Sequence, residues 1–209
     1  MKTLLKSFVC FLVLCMAAPA LAGPVKEYTA DMVDVASGKV MQKLAVTPDK
    51  IYSENFDDKG KRAALTIIRM DQKKMYTVME DSKSYMEVPF NKDKFTPSDL
   101  GKGMMQTKRE KVGEETVSGY KADKYRTTAK IMGMGTTSYE WIAPEFAMPV
   151  RTEAGGKTLE MRNIKTGRPD AALFEIPQGY KRNTEMEQMM KGVMGGQMEQ
   201  MMKGMMGGR

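Results

Sequence analysis

Between Lys26 and Arg182 the chain is cut about every ten residues by a turn signal, and the pieces in between have the length of strands. Ser37-Gly38, Thr47-Pro48-Asp49-Lys50, Asp57-Asp58-Lys59-Gly60, Asp71-Gln72-Lys73, Asp81-Ser82-Lys83 and Gly155-Gly156 are such cuts. Glycine supplies positive φ there, proline presets φ, and aspartate bonds its own backbone. The pieces "KVMQKLAV", "IYSENF", "AALTIIRM", "KMYTVME" and "SYMEVPF" are rich in Val, Ile, Thr and Tyr, which suit a pleated, half-buried surface. Further strands are expected in "KREKVG", then, after a turn at Glu114-Glu115, in "TVSGYKADKYRTTAKI", "SYEWIA", "MPVRTEA" and "KTLEMRNIKTG". A helical turn at Pro169–Leu173 and a last short strand close the domain. The stretch 97–106 reads as a short helix or a loop. The expectation is one mainly β domain of about ten strands. "LTIIRM" and "KMYTVM" put apolar residues at both parities, so both faces are covered or one lines a cavity.

Most catalytic chemistry is absent from the composition. The chain has no histidine, and its two cysteines are Cys10 and Cys15. Ser-His-Asp and Cys-His catalysis are therefore excluded, and ordinary zinc sites lose both of their usual ligand types. No carboxylate, lysine, tyrosine or serine constellation has a recognisable catalytic spacing. The chain is read as non-catalytic, with no catalytic residue and no cofactor.

Both cysteines lie in a leader. Lys2 and Lys6 precede an apolar run from Ser7 to Met16, and Ala20-Leu21-Ala22 has the small-x-small form of a cleavage site. The run is too short to span a bilayer. Residues 1–22 are thus expected to be a signal peptide, and the mature chain to be periplasmic or secreted, with no transmembrane segment. Cys15 as a lipid-attachment residue is the lesser alternative, because Leu14 stands where a small residue is wanted. The net charge of +7 falls to +5 without Lys2 and Lys6, and the lysines alternate with acids instead of clustering. That pattern marks a solvated sheet face, not a nucleic-acid footprint.

Methionine is the unusual component. Twelve of the 23 fall in residues 23–182. The side chain is unbranched and soft, so it fills irregular apolar space and adapts to varied ligands. Ordinary core filling accounts for any one of them. As a set, Met70, Met75, Met79, Met86, Met104 and Met105, with the single tryptophan Trp141, are the candidates for lining a deformable cavity. Trp141 is equally readable as a core or rim anchor. Arg69 and Asp71, flanking a tight hairpin, read as a turn-stabilising pair.

Several strings carry a family resemblance: "ADM", "IIRMDQKKMYTVMEDSKSYMEV", "VSGYKADKY", "YEWIAPEFAMPVR" and "LFEIPQGYK". In this order, from about Lys26 to Lys181, they resemble a family of exported bacterial proteins of unknown function. That family is related to the periplasmic lipoprotein carrier LolA and the lipid-binding lipoprotein LppX. The resemblance implies a curved antiparallel sheet, an unclosed half-barrel, with short helices on its concave side. It also implies lipid or lipoprotein acyl chains as partners, and a role in carrying them. It fixes no ligand-binding residue.

Beyond the domain, residues 183–209 form a methionine-rich extension. It carries a 12-residue unit twice, MEQMMKGVMGGQ and MEQMMKGMMGGR. Thr184 and Glu187 read as a capping box. Met186, Met189, Met190, Val193 and Met194 then share one helical arc. A 12-residue repeat is out of phase with 3.6 residues per turn, so two short helices on a Gly-Gly hinge are expected. Each is too short to be stable alone. They are read as disordered, or as folding on a protein partner, on the domain's own apolar surface or at a membrane interface. The rival is Cu(I) held by thioethers at Met186, Met189, Met190, Met198, Met201 and Met202, since soft ligands select Cu(I).

Overall fold

The turn signals from Ser37 to Lys83 each end a strand. In the computed structural model, which describes residues 26–90, 105–131 and 134–188, they separate β1 (Tyr28–Asp34), β2 (Val40–Val46), β3 (Lys50–Phe56), β4 (Arg62–Arg69), β5 (Lys74–Met79) and β6 (Ser84–Pro89). The second half holds β7 (Met105–Val117), β8 (Tyr120–Ile131), β9 (Met134–Ile142), β10 (Arg151–Ala154), β11 (Lys157–Thr166) and β12 (Lys181–Arg182). Short 3₁₀ turns lie at Met70–Gln72 and Ala171–Phe174.

All twelve strands form one sheet in the order β12-β6-β5-β4-β3-β2-β1-β11-β10-β9-β8-β7. The two ends of that order do not pair, so the barrel is unclosed. Every pairing is antiparallel except β12 with β6, which is parallel over Lys181↔Ser84 and Arg182↔Tyr85. The sheet is curved. Ser118, in the turn between β7 and β8, donates its hydroxyl to the Met161 carbonyl of β11 at 2.9 Å. Three strands lie between β7 and β11 in the order, a flat separation of about 19 Å at the usual strand spacing. The hairpin tip must therefore bend across the end of the short β10 to reach β11.

Three local expectations are corrected. The turn expected at Glu114-Glu115 lies inside β7. The chain reverses instead at Ser118-Gly119, both with positive φ (50° and 83°), the backbone that a two-residue hairpin turn requires. Met105 and Gln106 belong to β7, not to a helix or loop; the rest of that stretch lies outside the described residues. Thr184 is not the cap of the helical turn at 184–188. Asn183 is, its side-chain oxygen accepting from the Met186 N–H at 3.0 Å. Glu187 is drawn away from the capping role by a stronger pairing described below.

Each face of the sheet has its own core. Directly opposed residues point to the same side. Tyr28↔Val46, Val46↔Ile51, Ile51↔Ile68, Ile68↔Met75 and Met75↔Val88 thus make one apolar row across β1 to β6. The loop between β9 and β10 packs on the β1 end of this face. Phe146, fully buried, lies edge-on to Tyr28 at 4.9 Å and to Tyr120 at 4.7 Å. Such aromatic pairs contribute about 0.5–1.5 kcal/mol beyond their burial. On the opposite face Ala45, Leu65, Ile67, Tyr76 and Val78 are covered by Phe174, with Leu173, Ile176 and Tyr180 beside it. The segment after β11 is therefore the lid of the second core.

Candidate functional site

The apolar row continues past its loop cover. Met75 and Met79 alternate with Tyr76 and Val78 on β5, so they face away from the second core. Met86 of β6 stands opposite Thr77 and joins them. The structure thus brings Met75, Met79 and Met86 together on the face that also holds Ile68 and Val88. Among the described residues, neither core cluster includes any of these five. Met86 and Ile68 are nonetheless only 5% and 7% exposed, and Met75 and Met79 are half-buried. The middle of the face is lined by hydroxyls, Ser53, Thr66 and Thr77, in register between the apolar row and a third row with Gln42 and Asn55.

Met70 sits apart, half-buried in its 3₁₀ turn, where its carbonyl accepts from the Lys73 N–H. The Arg69–Asp71 pair beside it is a turn-stabilising pair at 2.8 Å. Arg69 also reaches Glu175 at 2.7 Å and the Phe174 carbonyl at 3.3 Å, tying the second core's lid to β4. Hydrogen bonding to Arg69 holds the Asp71 carboxyl below its ordinary range.

Trp141 packs in the first core, the cluster that holds Tyr28, Val46, Phe146 and Met161. It lies opposite Lys124 and Arg151, on the face away from its neighbour Glu140. Its indole is 2% exposed and flanked by the Lys124 ammonium at 4.6 Å and the Arg151 guanidinium at 5.4 Å from its ring. Its N–H donates to Glu115 at 2.9 Å. This is an anchor saturated by cations and a carboxylate.

Two arrangements have no counterpart among the sequence candidates. Glu140 of β9 is 4% exposed, with Arg109 of β7 3.3 Å away. Burial pushes its carboxyl up, and Arg109 offsets this only in part. The signal was legible: in "SYEWIA" a glutamate occupies an inward position of an otherwise apolar strand. The second is at the β6 edge. The Glu187 carboxylate accepts the Glu87 backbone N–H at 2.8 Å and pairs with Arg182 at 3.0 Å through both oxygens. A carboxylate here does the work of a strand carbonyl.

Among the described residues, no three of His, Cys, Asp and Glu group to hold a metal. No described helix is long and apolar enough to cross a membrane. Of the thioether candidates, Met186 is exposed in the helical turn at 184–188. Met189, Met190, Met198, Met201 and Met202 lie outside the described residues, as do Met104 and residues 1–22. Met105 is placed only as the first residue of β7.

Residues 31–148, more than half of the 209, match the family described as a domain of unknown function, DUF4412. The chain belongs to the DUF4412 family. The DUF4412 match takes in both sets of residues described above, the methionine face and Arg109 with Glu140, and ends in the loop that carries Phe146. No curated protein matches the chain. Among solved structures, an uncharacterized conserved protein from Thermus thermophilus is similar at 12% identity and a TM-score of 0.48, covering 85% of this chain and 99% of that one. The Mycobacterium tuberculosis lipoprotein LppX is similar at 12% identity and a TM-score of 0.33, covering 73% of this chain and 90% of its own. Likeness at this level says nothing of the ligand or activity of this DUF4412 chain.

Proposed function

We propose that this chain is an exported, non-catalytic protein that binds or carries a lipid, or a lipid-modified partner, by its acyl chain. The observation that carries this reading is the methionine-lined continuation of the apolar row, Ile68, Met75, Val88, Met79 and Met86, which neither described core cluster takes up. Thioether side chains adapt to a ligand with many conformers, as an acyl chain is. The hydroxyl row beside it gives the face a polar margin without charge. The leader read in residues 1–22 supports export, to the periplasm or beyond the cell.

Native mass spectrometry of the mature chain, purified gently from its own periplasm, tests the proposal. A co-purifying acyl-chain species supports it. A ligand-free protein that also takes up no added fatty acid or phospholipid rejects it.

A further inference from the structure

The lipid reading leaves the methionine-rich extension unused, and the structure fixes where that extension starts. β12 runs parallel to the β6 edge, with Lys181 opposite Ser84 and Arg182 opposite Tyr85. The Asn183 N–H then donates to the Tyr85 carbonyl at 2.8 Å, and Glu187 accepts the Glu87 N–H at 2.8 Å. From 181 to 187 the chain thus advances along β6 towards Val88. Residues 189–209 follow directly on this anchor, and eight of the 21 are methionine, so the segment carries the apolar surface that docking needs. Met86 and Val88 of β6 belong to the methionine face, with Met75 and Met79 on β5 and Ile68 on β4. The opposite face is already closed at this end, where Leu173, Ile176 and Tyr180 pack with Tyr76 and Tyr85 in the second core. Among the described residues, a segment leaving the β6 edge therefore meets one uncovered apolar face.

Glu187 also sets a phase. Its side chain turns to the sheet and is 6% exposed, whereas Met186 beside it is 38% exposed. In a helix continued from 184–188, the residues three and seven positions on come back to the Glu187 side. They are Met190 and Met194. The helical rise from Gln188 to Met194 is about 9 Å, and two strand spacings, from β6 to β4, are about 10 Å. The first repeat unit is thus long enough to cover Val88, Met75 and Ile68 before the Gly195-Gly196 hinge. Such a helix is too short to be stable alone. The tether offsets this, because a segment held to its own target acts at an effective concentration in the millimolar range.

We propose that residues 189–209 dock on the methionine face of their own chain, with Met190 and Met194 against Val88, Met75 and Ile68, and that an acyl chain displaces them. The docking stands without the lipid reading; the displacement rests on it. Thioether packs on thioether, and both surfaces are soft enough to take either occupant.

The test is disulfide trapping in the mature full chain. Residues 23–209 contain no cysteine, so any disulfide reports the engineered pair. Two pairs probe the face, Met75→Cys with Met194→Cys and Val88→Cys with Met190→Cys. They use different face residues, so a variant that fails to fold leaves the other to decide. Asp81→Cys with Met194→Cys is the control, because the Asp81 side chain is 89% exposed in the β5–β6 turn. Oxidised glutathione is the oxidant, and the products are mapped by mass spectrometry without reduction. Both face pairs should close within one chain at least about tenfold faster than the control, as a seated segment requires. Excess palmitic acid should slow the face pairs and leave the control unchanged. Equal rates in all three pairs mean that the tail has no seat on this face and overturn the docking, while the lipid reading stands. Disulfides between chains, rising with protein concentration, assign the face to a second copy and also overturn it. Fast closure of the face pairs that palmitic acid does not slow upholds the docking and overturns the displacement, together with the lipid reading of this face.

Discussion

The carboxylate of Glu187 accepts the backbone N–H of Glu87 at 2.8 Å, across a sequence separation of 100 residues. β12 covers the β6 edge for only two residues, and Glu187 closes the next open donor. Glu187 is 6% exposed and clamped by the Arg182 guanidinium, whose nitrogens lie 3.0 Å from each of its oxygens. Hydrogen bonds to charged groups contribute about 1.5–3 kcal/mol. Glu187→Ala should therefore lower stability by about 1–3 kcal/mol in chemical denaturation. Amide exchange at Glu87 should quicken while the β1–β4 amides stay protected.

Arg69 ties the second core's lid to the sheet through the Phe174 carbonyl and Glu175. Glu175 is 69% exposed, so its share of the pairing is screened and contributes about 0–1 kcal/mol. The buried end contributes more. Arg69→Met should cost about 1–3 kcal/mol, and Glu175→Ala no more than about 1 kcal/mol. Denaturant midpoints of the two variants, measured side by side, check the ordering.

Glu140 gives the protein a pH signature. Burial raises its folded-state pKa above the ordinary glutamate value of 4.5, against the partial opposition of Arg109. A raised acid contributes fully below its unfolded pKa, and that contribution is lost as pH rises through the folded value. Between pH 4.5 and neutrality, Glu140→Gln should therefore gain on the parent chain as pH increases. Other carboxylates, such as Glu80 at about 2, are depressed and act at lower pH. The variant-minus-parent difference isolates the Glu140 effect. A difference independent of pH would show that the carboxyl is not raised.

The methionine face should be separable from the fold. Met75 and Met79 are half-buried and belong to neither described core cluster. Replacing both with glutamine keeps their length and removes their apolar character. Met75→Gln with Met79→Gln should reduce affinity for a fluorescent fatty acid about tenfold, equivalent to about 1.4 kcal/mol. The thermal midpoint should fall by only a few degrees.

The meander from β1 to β6 was legible because each of its turns is local. Asp57-Asp58-Lys59-Gly60, for example, closes within itself, with Asp57 accepting from the Lys59 and Lys61 N–H groups. Glu114-Glu115 misled because exposed acidic residues suit an exposed strand as well as a turn. Ser118-Gly119 carried the better signal, two residues able to take positive φ between Val117 and Tyr120. The pairing of β1 with β11 was not legible, since Met32↔Met161 joins residues 129 apart with no local mark. The same limit hid the candidate site. Alternation was enough to group Met75 with Met79. Register across the sheet was needed to place Trp141 between Lys124 and Arg151 and to bring Arg109 to Glu140.

The most direct test of the account is to ask where an acyl chain touches the protein. The mature full chain is incubated with a fatty acid carrying a photoreactive diazirine near the chain end, irradiated, digested and mapped by mass spectrometry. Adducts should fall on the β4–β6 peptides, at Ile68, Met75, Met79, Met86 or Val88, and an excess of unlabelled palmitic acid should suppress them. Labelling that spares these peptides, or that palmitic acid does not suppress, would contradict the account.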